Sequence, residues 1–155
     1  MSDPRLVKLN LDAQSVGSAP SADAEHDRQV AIFDLLEANS FAPADDEGGP
    51  YDLRLAVEDN RLVFDVTGPG YAKRHLLSLI PLVRVMKDYA LVCDSYYEAV
   101  RDATPSQIEA IDMGRRGLHN EGSDLLRQRL EGKIVLDHET ARRLFTLIYA
   151  LQRRS

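Results

Sequence analysis

Between Asp112 and Ser123 the chain gathers two carboxylates, two guanidiniums, an imidazole, an amide and three glycines. Arg115 and Arg116 are built to grip a phosphate or carboxylate through paired N–H donors. Gly114 and Gly117 let a ligand come close to the backbone, and Asn120 adds an amide that both donates and accepts. His119 and Glu121 are of the types that exchange protons in acid/base chemistry. The candidate ligand-binding set is therefore Gly114, Arg115, Arg116, Gly117, His119 and Asn120. If the chain is an enzyme, His119 and Glu121 are its candidate catalytic pair. The plainer reading of the same residues is a helix end, with a solvated arginine pair and glycines placed for chain reversal.

Other chemistries lack their parts. His119-Asn120-Glu121 matches half of a zinc deaminase signature, but the partner Pro-Cys-x-x-Cys cannot be supplied by the single cysteine, Cys93. His26, His75, His119 and His138 show no i, i+4 pair of the kind that binds zinc on a helix, so no metal is expected. No phosphate-cradling Gly-x-x-x-x-Gly-Lys-Ser/Thr loop, no Gly-x-Gly-x-x-Gly turn and no Gly-x-Ser-x-Gly elbow occurs. No cofactor is implied. Cys93 falls on an apolar helical stripe, where a thiol serves as a small hydrophobe. Asp45-Asp46-Glu47 offers carboxylates to a cation, although an acidic run in a loop is ordinarily just solvated.

Charge is unevenly spread. Residues 1–50 hold ten acids and three bases, residues 51–103 eight and seven, and residues 104–155 seven and nine. An acidic chain is a poor general binder of phosphate backbone, so duplex DNA is not an expected partner. The basic final third keeps RNA open as a weaker reading. No apolar run approaches the ~20 residues that span a bilayer, and the first residues lack a signal-peptide core. The expectation is a cytoplasmic chain that does not enter a membrane. Its 155 residues fit one domain, 1–155.

The elements that must position the Gly/Arg/His segment follow from periodicity. Val7, Leu9 and Leu11 suggest one face of a first strand, and residues 12–22 a flexible loop. Asp23 is expected to cap a helix to about Asn39 that turns Val30, Phe33 and Leu36 inward. Residues 41–50 read as a second flexible loop. The clearest signal is a hairpin turning at Asp59-Asn60. It sets Val57 against Leu62, Leu55 against Phe64 and Leu53 against Val66, with Arg54 across from Asp65 and Glu58 across from Arg61. A third strand ends near Leu79. Pro81 then opens a helix to about Asp102, whose buried stripe runs through Leu82, Val85/Met86, Tyr89, Val92/Cys93, Tyr96 and Ala99/Val100.

Thr104-Pro105-Ser106-Gln107 is a capping box. The helix it opens is expected to fray or bend at Gly114, Gly117 and Gly122, with another turn or two from Asp124 to Leu130 and a stop at Gly132. Ile134–Leu136 offers a short strand. Asp137 then caps a last helix burying Ala141, Leu144, Phe145, Ile148 and Leu151. The fold class is α+β: a small antiparallel sheet, hairpin or meander, packed with four or five helices.

The segment TPSQIEAIDMGRRGLHNEG (Thr104–Gly122), with AIFDLLEANSFAP (Ala31–Pro43) and GGPY (Gly48–Tyr51), resembles a small uncharacterised protein family of alphaproteobacteria, the UPF family numbered 0262. The resemblance covers nearly the whole chain. It implies a bacterial cytoplasmic setting and assigns no catalytic residue. With no complete catalytic constellation present, the expected function is a non-enzymatic binding or regulatory module that presents the Gly/Arg/His segment to a protein or small anionic partner. The alternative is a small enzyme acting on a phosphorylated or carboxylated metabolite, with Arg115 and Arg116 as anion clamp.

Overall fold

Asp59 and Asn60 both adopt left-handed backbone, φ 52° and 61°, and so form the tight turn that matches the twist of two antiparallel strands. They join β3 (Tyr51–Glu58) to β4 (Arg61–Gly68). The register pairs Leu53 with Val66, Leu55 with Phe64 and Val57 with Leu62, as the alternation predicts. A slip of one residue would send this apolar set into water. A second turn, with Gly70 at φ 72°, adds β5 (Tyr71–Ser78) antiparallel to β4. On the opposite face Arg54, Asp65 and Arg74 lie side by side. Arg74 pairs with Asp65 and Glu58, and Arg54 pairs with Asp12.

The computed structural model describes residues 2–152. The sheet has a fourth strand, β1 (Leu6–Leu11), which lies beside β3 in parallel, giving the order β1-β3-β4-β5. A parallel neighbour needs a long crossover, which the chain from Asp12 to Pro50 supplies. The sheet is thus mixed: an antiparallel meander with one parallel edge. A register shift between Leu6 and Lys8 breaks the expected alternation in β1. Leu6 and Leu9 are buried while Val7 faces solvent, because the irregularity flips the face presented.

Residues 12–22 hold more structure than a loop. Asp12 accepts from the Ser15 amide and caps α1 (Ala13–Val16). Ser21, rather than Asp23, caps α2 (Ala22–Glu37), its hydroxyl accepting from Ala24 N. The buried face of α2 is Ala24, Arg28, Ala31 and Leu35, and Phe33 is 65% exposed. The sequence favoured the bulkier stripe, which includes Phe33. The small alanines win because they let α2 lie close against the last helix.

The loop expected at residues 41–50 begins as a strand. β2 (Phe41–Pro43) pairs with β6 (Ile134–Leu136), and Phe41 is 1% exposed. Its partner lies some ninety residues downstream, beyond the reach of local pattern.

Three helices follow the sheet. α3 (Ile80–Asp102) carries Pro81 in its first turn, where a missing N–H costs little. The expected stripe of α3 is buried only in part, at Leu82, Val85, Met86 and Ala99. α4 (Pro105–Arg129) opens with the capping box: Gln107 N donates to Thr104 Oγ1 at 3.3 Å and Thr104 N to Gln107 Oε1 at 3.0 Å. The expected fraying does not occur. α4 runs unbroken through Gly114, Gly117 and Gly122, and none of the three has positive φ. The ~1 kcal/mol propensity cost of each glycine is outweighed by packing along α3 and α5. Gly132, at φ 78°, turns the chain out of α4 as expected. Asp137 then caps α5 (His138–Gln152), and Ala141, Leu144, Phe145, Ile148 and Leu151 are all buried.

Candidate functional site

Because α4 is continuous, helical spacing decides which polar side chains meet. Asp112, Arg115, Arg116, His119 and Ser123 recur at i, i+3, i+4, i+7 and i+11 and share one side. Asp112 draws both arginines to itself: Arg115 Nη2 lies 2.5 Å from its Oδ1 and Arg116 Nη2 lies 2.9 Å from its Oδ2. These contacts, the Arg115 hydrogen bond foremost, hold the Asp112 carboxyl below the usual range. The Arg115 guanidinium also sits 4.5 Å above the Tyr96 ring of α3, a cation–π contact in the α3/α4 seam. Three charged groups therefore leave a net single positive charge, with Arg116 the more exposed of the two arginines.

His119 turns inward. Its ring packs edge-on against Tyr89 (5.5 Å) and Phe145 (5.2 Å), and Nε2 lies 2.8 Å from Thr146 Oγ1. The Thr146 hydroxyl donates to the Arg142 carbonyl, so His119 is the donor, with its proton on Nε2. Burial first, then the charges of Arg142 and Arg115, lowers its pKa to about 4. At neutral pH it is an uncharged wedge between helices. Asn120 Oδ1 accepts from Arg142 Nη1, fastening α4 to α5.

Glu121 is exposed. Two residues on from His119 it points about 200° away around the helix, so the geometry does not assemble the two as an acid/base pair. It shares a shallow groove with Gly117, Asn120, Asp124, Leu125 and Gln128. A Cβ on Gly114 or Gly117 would meet open space. Of the candidate set, Arg115 and His119 are thus committed to the helix seams, whereas Arg116, Gly114 and Gly117 look outward.

Among the described residues no group of three or more His, Cys, Asp or Glu could hold a metal ion. Cys93 is half-buried and burial raises its pKa, away from thiolate chemistry. Among the described residues, three further bases of the final third are engaged: Lys133 donates to the Leu76 carbonyl, Arg143 to that of Ala38 and Arg142 to Asn120.

A second polar cluster contains Asp45 and Asp46 of the acidic run, with partners that the sequence did not single out. Tyr51 donates to Asp46 Oδ2 at 2.5 Å, and Tyr71 donates to Asp45 Oδ1 at 2.8 Å. His75 Nε2 lies 3.0 Å from the Tyr71 oxygen, and Lys73 pairs with Asp45 at 2.9 Å. With the Tyr71 proton given to Asp45, His75 is the donor to Tyr71. Burial, then Asp46, pushes the Tyr51 phenol up to about 12. Burial, then Lys73, pushes His75 down. Asp45 and Asp46 are held by tyrosines and a lysine, fastening the loop before β3 to the first residues of β3 and β5. The available sequence signal was a tyrosine opening each of two strands beside glycines; the partners are joined only by folding.

One feature sets α3 and α4 apart. From Lys87 to Glu121, Ala99 is the sole buried residue. The distal parts of both helices pack on each other and contribute little to the main core. Leu91, Tyr97, Val100 and Met113 are exposed along them. Among the described residues no helix is long and apolar enough to cross a membrane.

Fold and site together define a small α+β domain carrying a long, lightly buried helical hairpin. A model of the Uncharacterised protein family (UPF0262) matches residues 3–154, and the chain belongs to that family. It is 61% identical over 150 residues to a UPF0262 protein of Caulobacter vibrioides (strain NA1000 / CB15N), covering 97% of this chain and 94% of the relative. It is 60% identical to one of Phenylobacterium zucineum, over the same shares of each chain. With one of Maricaulis maris the identity is 58%, over 99% of this chain and 97% of the other. No solved structure matches it.

Proposed function

We propose that the protein is a non-enzymatic binding module of the bacterial cytoplasm, whose α3/α4 hairpin docks a protein or small anionic partner on the side bearing Arg115 and Arg116. The observation that carries this reading is the burial pattern. Thirty-five residues from Lys87 to Glu121 hold one buried side chain, so this stretch contributes little to the core, and it leaves large apolar groups in water. Arg116 supplies an outward cation beside exposed Met113, the pairing of charge and apolar surface that suits an acidic partner. Gly114 and Gly117, open to solvent next to it, allow close approach. Duplex DNA lies outside the proposed partners, given the net charge of −6.

Affinity capture from the native cell tests this, comparing wild type with Arg115→Ala/Arg116→Ala and with Arg116→Glu. The second variant touches only the exposed arginine, so a lost partner cannot be ascribed to a loosened α3/α4 seam. The reading requires a partner recovered with wild type and lost with both variants. Identical recovery with all three contradicts it.

A further inference from the structure

The face of α3 turned away from α4 has its own order. Ile80, Arg84, Lys87, Leu91, Asp94 and Glu98 follow helical spacing along one stripe, roughly opposite the buried Val85 and the half-buried Tyr96. All six are exposed, Leu91 at 66%. Charge along the stripe is sorted: bases before Leu91, acids after it. None of Arg84, Lys87, Asp94 and Glu98 has an ion pair among the described residues.

This sorting does not serve the helix itself. Asp94 and Glu98 are like-charged at i, i+4, and Glu98 repeats this with Asp102, an arrangement that weakens an isolated helix.

We propose that this face binds a second copy of the chain, with the two α3 helices antiparallel about a two-fold axis beside Leu91. A two-fold axis makes the surface its own partner, so residues equidistant from the axis on opposite sides must be complementary. Arg84 lies seven residues before Leu91 and Glu98 seven after, each about 10 Å along the axis at 1.5 Å per residue. Lys87 and Asp94 lie four before and three after, on the same flank of the stripe. Arg84 therefore meets Glu98 of the other copy, Lys87 meets Asp94, and Leu91 meets itself. Each ion pair forms twice. A parallel arrangement would set like charges against one another, so the same pattern also selects the direction.

The apolar centre is small. A strip about 34 Å long and about 10 Å wide is below the roughly 800 Å² per partner of a standard interface. The dimer is therefore weak and salt-sensitive, with a Kd of order micromolar or higher. It uses the face of α3 away from Arg115 and Arg116, and so is independent of the partner proposed for them.

Sedimentation velocity over a concentration series tests this on the full-length protein. Wild type should pass from monomer to dimer, and addition of about 0.5 M salt should shift it back to monomer. Arg84→Glu and Glu98→Arg should each weaken the dimer about tenfold or more, while the double variant R84E/E98R restores it, because the reversed charges again meet as opposites. Both positions are exposed, and circular dichroism melts should be alike across the set. A wild type that stays monomeric to about millimolar concentration overturns the proposal. So does a dimer indifferent to both single reversals, or one that the double reversal fails to restore.

Discussion

The Phe145 ring occupies the place where a side chain on Gly122 would begin: a Cβ there would lie 2.3 Å from ring carbon Cε1. α4 and α5 therefore approach as closely as they do because position 122 carries no Cβ. Phe145 is fully buried and also holds the His119 ring edge-on. One glycine thus fixes the interhelical distance from which the candidate site is built.

Alanine substitution separates this glycine from its neighbours. Gly114→Ala and Gly117→Ala are exposed, helical and clear of other atoms, so each should stabilise by about 0.5–1 kcal/mol through helix propensity. Gly122→Ala should destabilise by about 1–3 kcal/mol through overpacking against Phe145. Urea denaturation of the three variants checks the contrast. A stabilised Gly122→Ala would show that the helices part at little cost.

At the start of the same helix, Thr104→Ala removes the acceptor for Gln107 N and should cost about 1 kcal/mol. Thr104→Ser, which keeps the hydroxyl, should cost much less. Thermal melts of the two variants distinguish them. Equal melting temperatures for Thr104→Ala and wild type would mean that the box contributes nothing.

How legible these features were depends on the range of the interaction. The Asp59-Asn60 hairpin, the Thr104 cap and the buried face of α5 are local: spacing and residue type within a dozen positions determine them, and they appear where the alternation and periodicity place them. The α2 face was misread because two stripes compete on one helix. The preference for Ala24, Ala31 and Leu35 over Val30 and Phe33 is set by α5, which is distant in sequence. β2 was invisible for the same reason. In the candidate site the residue types were legible, but their directions were not, since the glycines suggested a break in α4. Only a continuous helix places Arg115 beside His119 and turns Glu121 away from both.

The pH dependence of His119 follows from its burial. Its native pKa, about 4, lies below the ordinary value of 6.5. Between those two values the unfolded chain binds a proton that the native chain does not. Its contribution to stability is therefore complete above about pH 6.5 and is lost as pH falls towards 4. The imidazole resonances of His119 should titrate in NMR with a midpoint near pH 4. A midpoint near 6.5 would mean that the ring is solvated and the wedge between α3, α4 and α5 is not closed.

The tyrosine cluster makes a separate prediction about the loop before β3. Tyr51 is fully buried and its hydroxyl is held by Asp46. Tyr51→Phe should cost about 1–3 kcal/mol, because it removes a hydrogen bond to a charged acceptor. Hydrogen exchange at the amide of Gly48, which donates to the same carboxylate, should also rise. Unchanged stability together with unchanged exchange would show that the loop is fastened elsewhere.

The central claim, that the α3/α4 hairpin is the docking surface, is tested most directly by photo-crosslinking in the living cell. A photoreactive amino acid is placed at Met113 on the hairpin, or at Val135 on β6; the two positions are 63% and 62% exposed. The account predicts a discrete product from position 113, lost when Arg116→Glu is added, and no such product from position 135. A product from position 135 alone, or one from position 113 that persists with Arg116→Glu, would contradict it.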